Sequence, residues 1–379
     1  MHNDPLNQYP GRLGLQQRVL PAYRAPFFEA LAGACARGLS VFAGLPAPDE
    51  AIQTTDRLQV ARFTPARNLH IGSIGSPFYL CWQSGMRRWL ETWQPDALIV
   101  EANPRYLSTR LALRWMHARR RPVLGWGLGA PPSTGVLEVV RRPGRLRFLS
   151  QFDGLIAYSQ LGADQYRSLG ISEERVFVAP NATAPRPTSP PPERPATFAD
   201  RPVVLFVGRL QSRKRIDLLL QACAMLPQES QPEIWVVGDG PAREEFQEVA
   251  GQAYPAAHFP GARHGEALEP YFARADLFVL PGTGGLAVQQ AMAHGLPVIV
   301  AQGDGTQDDL VQPGNGWRIP PGDAQALAET LRQALSDPAR LRRMGAESYR
   351  IVAEQANLER MVEVFVEALN SLSQQPAPT

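Results

Sequence analysis

Short apolar runs alternate with longer segments of helical period along almost the whole chain, which is the pattern of parallel strands joined by covering helices. In the first half the pattern predicts strands at residues 18–21, 39–43, 97–101, 122–126, 154–159 and 176–179, and helices at 26–37, 78–92, 106–119 and 162–169. The alternation stops at PRPTSPPPERPATFADRP, residues 185–202, where proline rules out helix and central strand and stiffens the chain toward polyproline II. It restarts with strands at 203–207, 233–237, 277–280 and 297–301 and helices at 216–226 and from Ala242. Helical signal then dominates 324–372, broken at Pro338.

The fold class is therefore α/β, with two doubly wound Rossmann-like domains. Their expected bounds are 1–184 and 202–354, with a linker at 185–201. Residues 355–379 supply a last helix, free to cross back to the first domain, and a frayed tail. A chain of 379 residues exceeds what one hydrophobic core usually supports, in keeping with two domains. The formal charge of +2 argues against a nucleic-acid partner for the whole protein. Cys35, Cys81 and Cys223 lack disulfide or zinc spacing and read as reduced, buried thiols. The polar, proline-bearing N-terminus has no signal-peptide pattern, and no apolar run approaches the roughly 20 residues of a membrane span. A cytoplasmic protein is expected, with membrane contact limited to the inner surface.

Ligands of doubly wound sheets bind outside the carboxyl ends of strands, so the residues that follow each apolar run carry the chemistry. In FVGRLQSRKRID, Gly208 ends a strand, and Arg209 and Lys214 flank the turn into the next helix. Cations beside a helix N-terminus suit a diphosphate; a solvated basic turn explains them as well. VVGDGP, residues 236–241, is a strand, a glycine turn and a helix start. LPGTGGLAVQQAMAHGLPVIVA, residues 280–301, joins a strand through Gly282, Gly284 and Gly285 to a small-residue helix, and the glycines should leave amides free at its start.

In this order the three stretches resemble the donor-binding domain of family-4 glycosyltransferases, which have the GT-B fold: two Rossmann-like domains facing across a cleft. The likeness covers residues 202 to about 336 and includes FPGARHGEALEPYFARADLFVLPG. It implies that Arg209 and Lys214 clamp a donor pyrophosphate beside Gly208, and that Gly285 and Leu286 offer backbone amides. Arg263 and His264 fall on the side of the donor base. Gln290 stands where the family has a ribose-binding glutamate, and Gly282 where it has a second glutamate that contacts the sugar. The likeness implies a UDP- or GDP-sugar donor, no cofactor, retention of configuration, and a glycan, lipid-linked or small-molecule hydroxyl as acceptor. No DxD triplet offers a metal–diphosphate anchor, so a metal-independent site is expected.

In the first domain Glu101, Asn103, Arg105 and Trp126 follow strands, as do Tyr23 and Arg24. Glu101 and Asn103 are the candidates for catalysis, and Tyr23, Arg24, Arg105 and Trp126 for the acceptor side. Solvated strand ends and a surface arginine are the plainer explanations. Between residues 105 and 147 only Glu138 is acidic, while arginines recur among Trp115, Leu137, Val139, Val140, Leu146 and Phe148. Such a segment suits an anionic membrane or acidic acceptor; exposed, solubilising helix faces explain it too. Two rival functions stand beside sugar transfer. One is a sugar-nucleotide epimerase, which needs acid/base carboxylates and histidines in the cleft, and of the six histidines only His264 sits near a donor-side loop; the other is a non-catalytic nucleotide-sugar binder.

Overall fold

The computed structural model describes residues 8–47, 50, 52–73, 76, 78–131, 136–284, 286–303 and 305–373, without the side chains of 136–141 and 373. The chain forms two compact units, Met1–Thr183 with Leu358–Thr379, and Ala184–Asn357.

The first unit runs β1 (Leu13–Val19), α1 (Ala25–Gly33), β2 (Leu39–Gly44), β3 (Arg62–Pro65), β4 (Arg67–Ile71), β5 (Leu80–Ser84), α2 (Met86–Trp93), β6 (Ala97–Glu101), α3 (Ser108–His117), β7 (Val123–Gly127), α4 (Val136–Leu149), β8 (Gly154–Ala157), α5 (Gln160–Ser168) and β9 (Val176–Val178). Among the described residues its main sheet is parallel in the order β3-β2-β1-β6-β7-β8-β9, so the order reverses between β1 and β6. Alternate residues of each strand face opposite sides. Leu13, Leu15, Ile99, Leu124, Trp126 and Ile156 enter one core, while Leu98, Val100, Val123 and Leu155 enter the other.

Two readings of the first half need correction. The first strand begins at Leu13, earlier than the expected 18–21, because two buried glutamines interrupt its apolar run. Gln16 is satisfied by Gln83 and by the amide of Glu101. The expected helix 78–92 is split: β5 pairs antiparallel with β4, a strand absent from the expectations, and the chain turns at Gly85, φ 92°, before α2 starts. Gln83 explains the polar interior of this hairpin, since its amide donates to the Gln17 carbonyl and to Asn68 Oδ1.

The second unit contains β10 (Val203–Val207), α6 (Ile216–Ala224), β11 (Glu233–Val237), α7 (Arg243–Ala253), β12 (Ala257–Gly261), α8 (Glu269–Arg274), β13 (Leu277–Leu280), α9 (Leu286–Ala293), β14 (Val298–Ala301), β15 (Gly316–Ile319), α10 (Ala324–Leu335) and α11 (Pro338–Glu354). Its described strands form a parallel sheet in the order β12-β11-β10-β13-β14-β15. Renumbered within the unit this is 3-2-1-4-5-6, whose switch point lies between β10 and β13.

The proline-rich stretch is packed on this unit. Arg194 donates to the carbonyls of Phe272, Ala275 and His294 at 2.7, 2.8 and 2.9 Å, closing the C-terminal ends of α8 and α9. Arg342 donates to Pro195 O at 2.8 Å and Tyr349 to Ser189 O at 2.9 Å. The residues expected to form a linker therefore belong to the second unit.

After α11 the chain returns to the first unit as α12 (Leu358–Ser373). Phe365 is fully buried, its ring 4.9 Å from Phe27 of α1 and 5.0 Å from Trp126 of β7. Together α12 and α1 cover one face of the first sheet.

Candidate functional site

At the switch point of the second unit three loops lie on one another. β10 ends at Gly208, whose amide donates to Val237 O at 3.0 Å, and Leu210 N donates to Asp239 O at 2.9 Å, so the loops after β10 and β11 continue the ladder beyond the strands. The third loop follows β13. Thr283 N donates to Arg213 O at 3.2 Å, and the Lys214 ammonium donates to Thr283 O at 2.7 Å. Gly282 sits so close to this neighbour that a Cβ there would lie 2.1 Å from the Arg213 carbonyl oxygen. No side chain fits. The absence of a carboxylate at this position is thus imposed by backbone contact.

Gln307 fixes the loop from beneath. It is 1% exposed, accepts from Gly284 N at 2.9 Å, and donates to Gly282 O at 3.2 Å and to the Ala301 carbonyl that ends β14. The Gly284 amide expected to be free is therefore occupied. Gly285, proposed from the sequence to offer the next amide, lies outside the described residues. Leu286 opens α9, whose first amides have no partner within the helix.

Burial and the neighbouring Arg213 hold the Lys214 ammonium down to about 8. Arg209 is exposed, two residues beyond the end of β10. Gln290 is half-buried in the second turn of α9, where its carbonyl accepts from His294; the adjacent Gln289 is buried and tied to Ala356 O. Arg263 and His264 are exposed after β12. The arrangement concentrates positive charge and helix-start amides where an oxyanion can be neutralised.

The first unit has its own switch point, between β1 and β6. Arg24, far from being a surface arginine, is 6% exposed and stands at the N-cap position of α1 without a side-chain bond to the helix. Its guanidinium donates to Asn181 Oδ1 at 2.7 Å and lies 5.1 Å from the Trp126 ring and 5.3 Å from that of Tyr158; among the described residues its Nη1 has no partner. Glu101 accepts from the Arg18 amide. Burial pushes its carboxyl up to about 7 against the opposing Arg18 amide and the charges of Arg18 and Arg24. The Arg18 guanidinium itself is bound by Glu50 in a fork, at 2.5 and 2.7 Å.

The remaining candidates divide. Tyr23 is 49% exposed, and Arg105 is exposed. Asn103 spends its side-chain oxygen on the Arg105 amide at 3.1 Å, closing the turn after β6. Trp126, expected on the acceptor side, is 1% exposed and packed between Phe27 and Phe365, so it is a core residue. Of the segment expected to meet a membrane, Trp115 and Phe148 are buried, and Leu137, Val139 and Val140 lack described side chains. Gln307, Tyr158 and Asn181 were not anticipated. Tyr158 directly follows β8 and was open to the same strand-end rule; Gln307 lies six residues beyond β14, where nothing in the sequence marks it.

Residues 192–351 match the family described as "Glycosyl transferases group 1". The lipopolysaccharide core biosynthesis glycosyltransferase LpsE of Rhizobium meliloti (strain 1021) is 24% identical over 302 residues, 75% of this chain and 88% of that protein. The sulfoquinovosyl transferase SQD2 of Arabidopsis thaliana is 33% identical over 36% of this chain and 27% of its own length. A GDP-mannose-dependent alpha-(1-6)-phosphatidylinositol monomannoside mannosyltransferase of Mycolicibacterium smegmatis is 29% identical over 55% of each. Among solved structures, sucrose-phosphate synthase from Thermosynechococcus elongatus superposes with a TM-score of 0.68 at 21% identity, covering 96% of this chain and 99% of that one. Anabaena HepE in complex with UDP superposes with a TM-score of 0.66 at 18% identity, over 95% and 99%. The fold is GT-B.

Two consequences can be measured. Gln307→Ala strands the Gly284 amide and two carbonyls, so a loss of about 1–3 kcal/mol in urea unfolding is expected, with faster hydrogen exchange at Gly284. Unchanged exchange there means the amide is held by something else. For Glu101, the folded carboxyl keeps between pH 4.5 and about 7 a proton that the unfolded chain has released, so stability falls as pH rises through that window. Glu101→Gln removes this fall, and its stability relative to the parent should grow by about 1–3 kcal/mol from pH 4.5 to 8. Parallel pH profiles for the two proteins refute the burial argument.

Proposed function

We propose that this GT-B glycosyltransferase, which takes its sugar from a nucleotide-sugar donor, holds the donor diphosphate where β10 and β13 end and passes the sugar to an acceptor hydroxyl served by the first unit. One observation carries the reading: the Lys214 ammonium, seated on Thr283 O beside Gly284, at the switch point of a 3-2-1-4-5-6 sheet. A half-buried ammonium with no carboxylate partner among the described residues suits a phosphate oxygen. In this reading Arg209 adds a second cation beside Gly208, Gly285 and Leu286, which opens α9, supply amides, Gln290 takes the ribose, and Arg263 and His264 border the base.

The UDP bound to HepE and the GDP-mannose on which the mannosyltransferase depends point to UDP- and GDP-sugars as donors to test. Neutralisation by cations and amides makes the reaction metal-independent, and no cofactor is invoked; membership of family 4 and retention of configuration follow the sequence likeness. With Gly282 closed to any side chain, the departing diphosphate is left to accept the acceptor's proton. Glu101, with a carboxyl that titrates near neutrality, and the unpaired nitrogen of Arg24 are the groups of the first unit suited to a glycan, lipid-linked or small-molecule acceptor, with Tyr23, Asn103 and Arg105 around them.

Calorimetry with UDP and GDP tests the donor site. Lys214→Ala and Arg209→Ala should each weaken binding by about 1.5–3 kcal/mol, through loss of a charge-assisted bond. The free amine loses its proton above about 8, whereas a bound diphosphate favours the ammonium; affinity should therefore fall as pH rises through 8. Binding and sugar transfer should survive EDTA. Equal affinity in both variants, or activity lost to EDTA and restored by Mn²⁺, contradicts the assignment.

Among the described residues no helix is long and apolar enough to cross a membrane. Peripheral contact is proposed through charge: the first unit carries 22 arginines against 16 acidic residues, and Arg110, Arg114, Arg119, Arg120, Arg142 and Arg147 are exposed. Flotation should show salt-sensitive binding to anionic but not neutral liposomes, since attraction to anionic lipid decays within about 10 Å at 0.1 M salt. Equal, negligible binding to both leaves these arginines as a solvated face.

A further inference from the structure

Lys214 is the single lysine in a chain that carries 37 arginines. Space explains the exception. Its Nζ lies 2.7 Å from Thr283 O, in the position where a Cβ on Gly284 would come within 2.2 Å. A compact ammonium on a narrow stem enters such a slot, and a planar guanidinium with its fork of donors does not.

The substitution that space demands also brings chemistry that arginine lacks, because a neutral amine is a nucleophile. Burial and Arg213 hold the Lys214 amine down to about 8. At pH 7.5 about a quarter of it is neutral, against about a thousandth for an ordinary lysine. The same loops bring anion-binding groups to it: Arg213 reaches the Thr283 carbonyl that Lys214 also contacts, and α9 starts two residues beyond Gly284.

We propose that Lys214 is an acylation site, modified by acyl phosphates, and that its acylation closes the donor site. The proposal rests on the diphosphate reading above. The phosphate end of the mixed anhydride occupies the anion site, which brings its carbonyl carbon to Nζ. The neutral amine attacks that carbon, the new C–N bond forms, and the C–O bond to phosphate breaks. Phosphate departs with the bonding pair, and the proton lost by nitrogen passes to water. The product is an uncharged amide whose acyl group fills the space beside Gly284, so both the cation and the room for a phosphate oxygen are gone.

The full-length protein is incubated with acetyl phosphate at pH 7.5, folded and in urea, with and without UDP, and adducts are located by peptide mass mapping. Acetylation of Lys214 should be at least about tenfold faster in the folded protein, where the neutral fraction is larger, and should be suppressed by saturating UDP. The acetylated protein should no longer bind UDP while keeping its circular dichroism spectrum. Absence of the Lys214 adduct in a protein that binds UDP normally, or equal rates folded and unfolded, overturns the proposal and leaves the donor reading standing. Rapid acetylation that UDP does not slow, giving a product that still binds UDP, overturns both.

Discussion

The second unit depends on a contact between two stretches of bare backbone: Gly282 resting on the carbonyl of Arg213 at a separation that admits no Cβ. This contact sets where the loop after β13 can run. It puts Thr283 in reach of Lys214, and it aims the Gly284 amide at Gln307. A longer loop could carry a carboxylate at that point only by retreating from β10, and the ammonium would then lose the carbonyl that holds it. The cationic slot and the absence of the carboxylate are two results of one packing decision.

The two switch points solve opposite electrostatic problems. In the second unit a cation is kept half-buried without a carboxylate partner among the described residues, its charge answered by a carbonyl dipole. In the first, burial raises the proton affinity of Glu101 against the opposing Arg18 amide and the charges of Arg18 and Arg24, while the Arg18 guanidinium is bound by Glu50. Arg24, enclosed by aromatic rings and Asn181, keeps one nitrogen unspent.

Legibility followed burial chemistry. Strands 203–207, 233–237 and 277–280 stand at the residues their apolar runs predicted, because nothing polar interrupts them. The first half was less transparent where buried amides replace apolar residues: Gln16 and Gln17 disguised β1, and Gln83 disguised β5 as part of a helix. The strand-end rule singled out Arg209, Lys214, Arg24 and Glu101, but it could not tell a strand-end residue that faces solvent from one that faces the core, and so it put Trp126, a core residue, on the acceptor side. Gln307 was invisible for a different reason. Its role depends on two main-chain groups of a loop more than twenty residues away, and no local pattern encodes such a meeting.

The return of α12 to the first unit means that the second unit is spelled out inside the sequence of the first. During synthesis the second unit has all its residues before the first has its last helix. Until residues 358–373 emerge, the face bearing Phe27 and Trp126 lacks its cover and exposes aromatic surface to the cell. The older part of the chain is thus the later to mature, and the interval in which it can aggregate is set by how long the ribosome takes to cross the intervening unit.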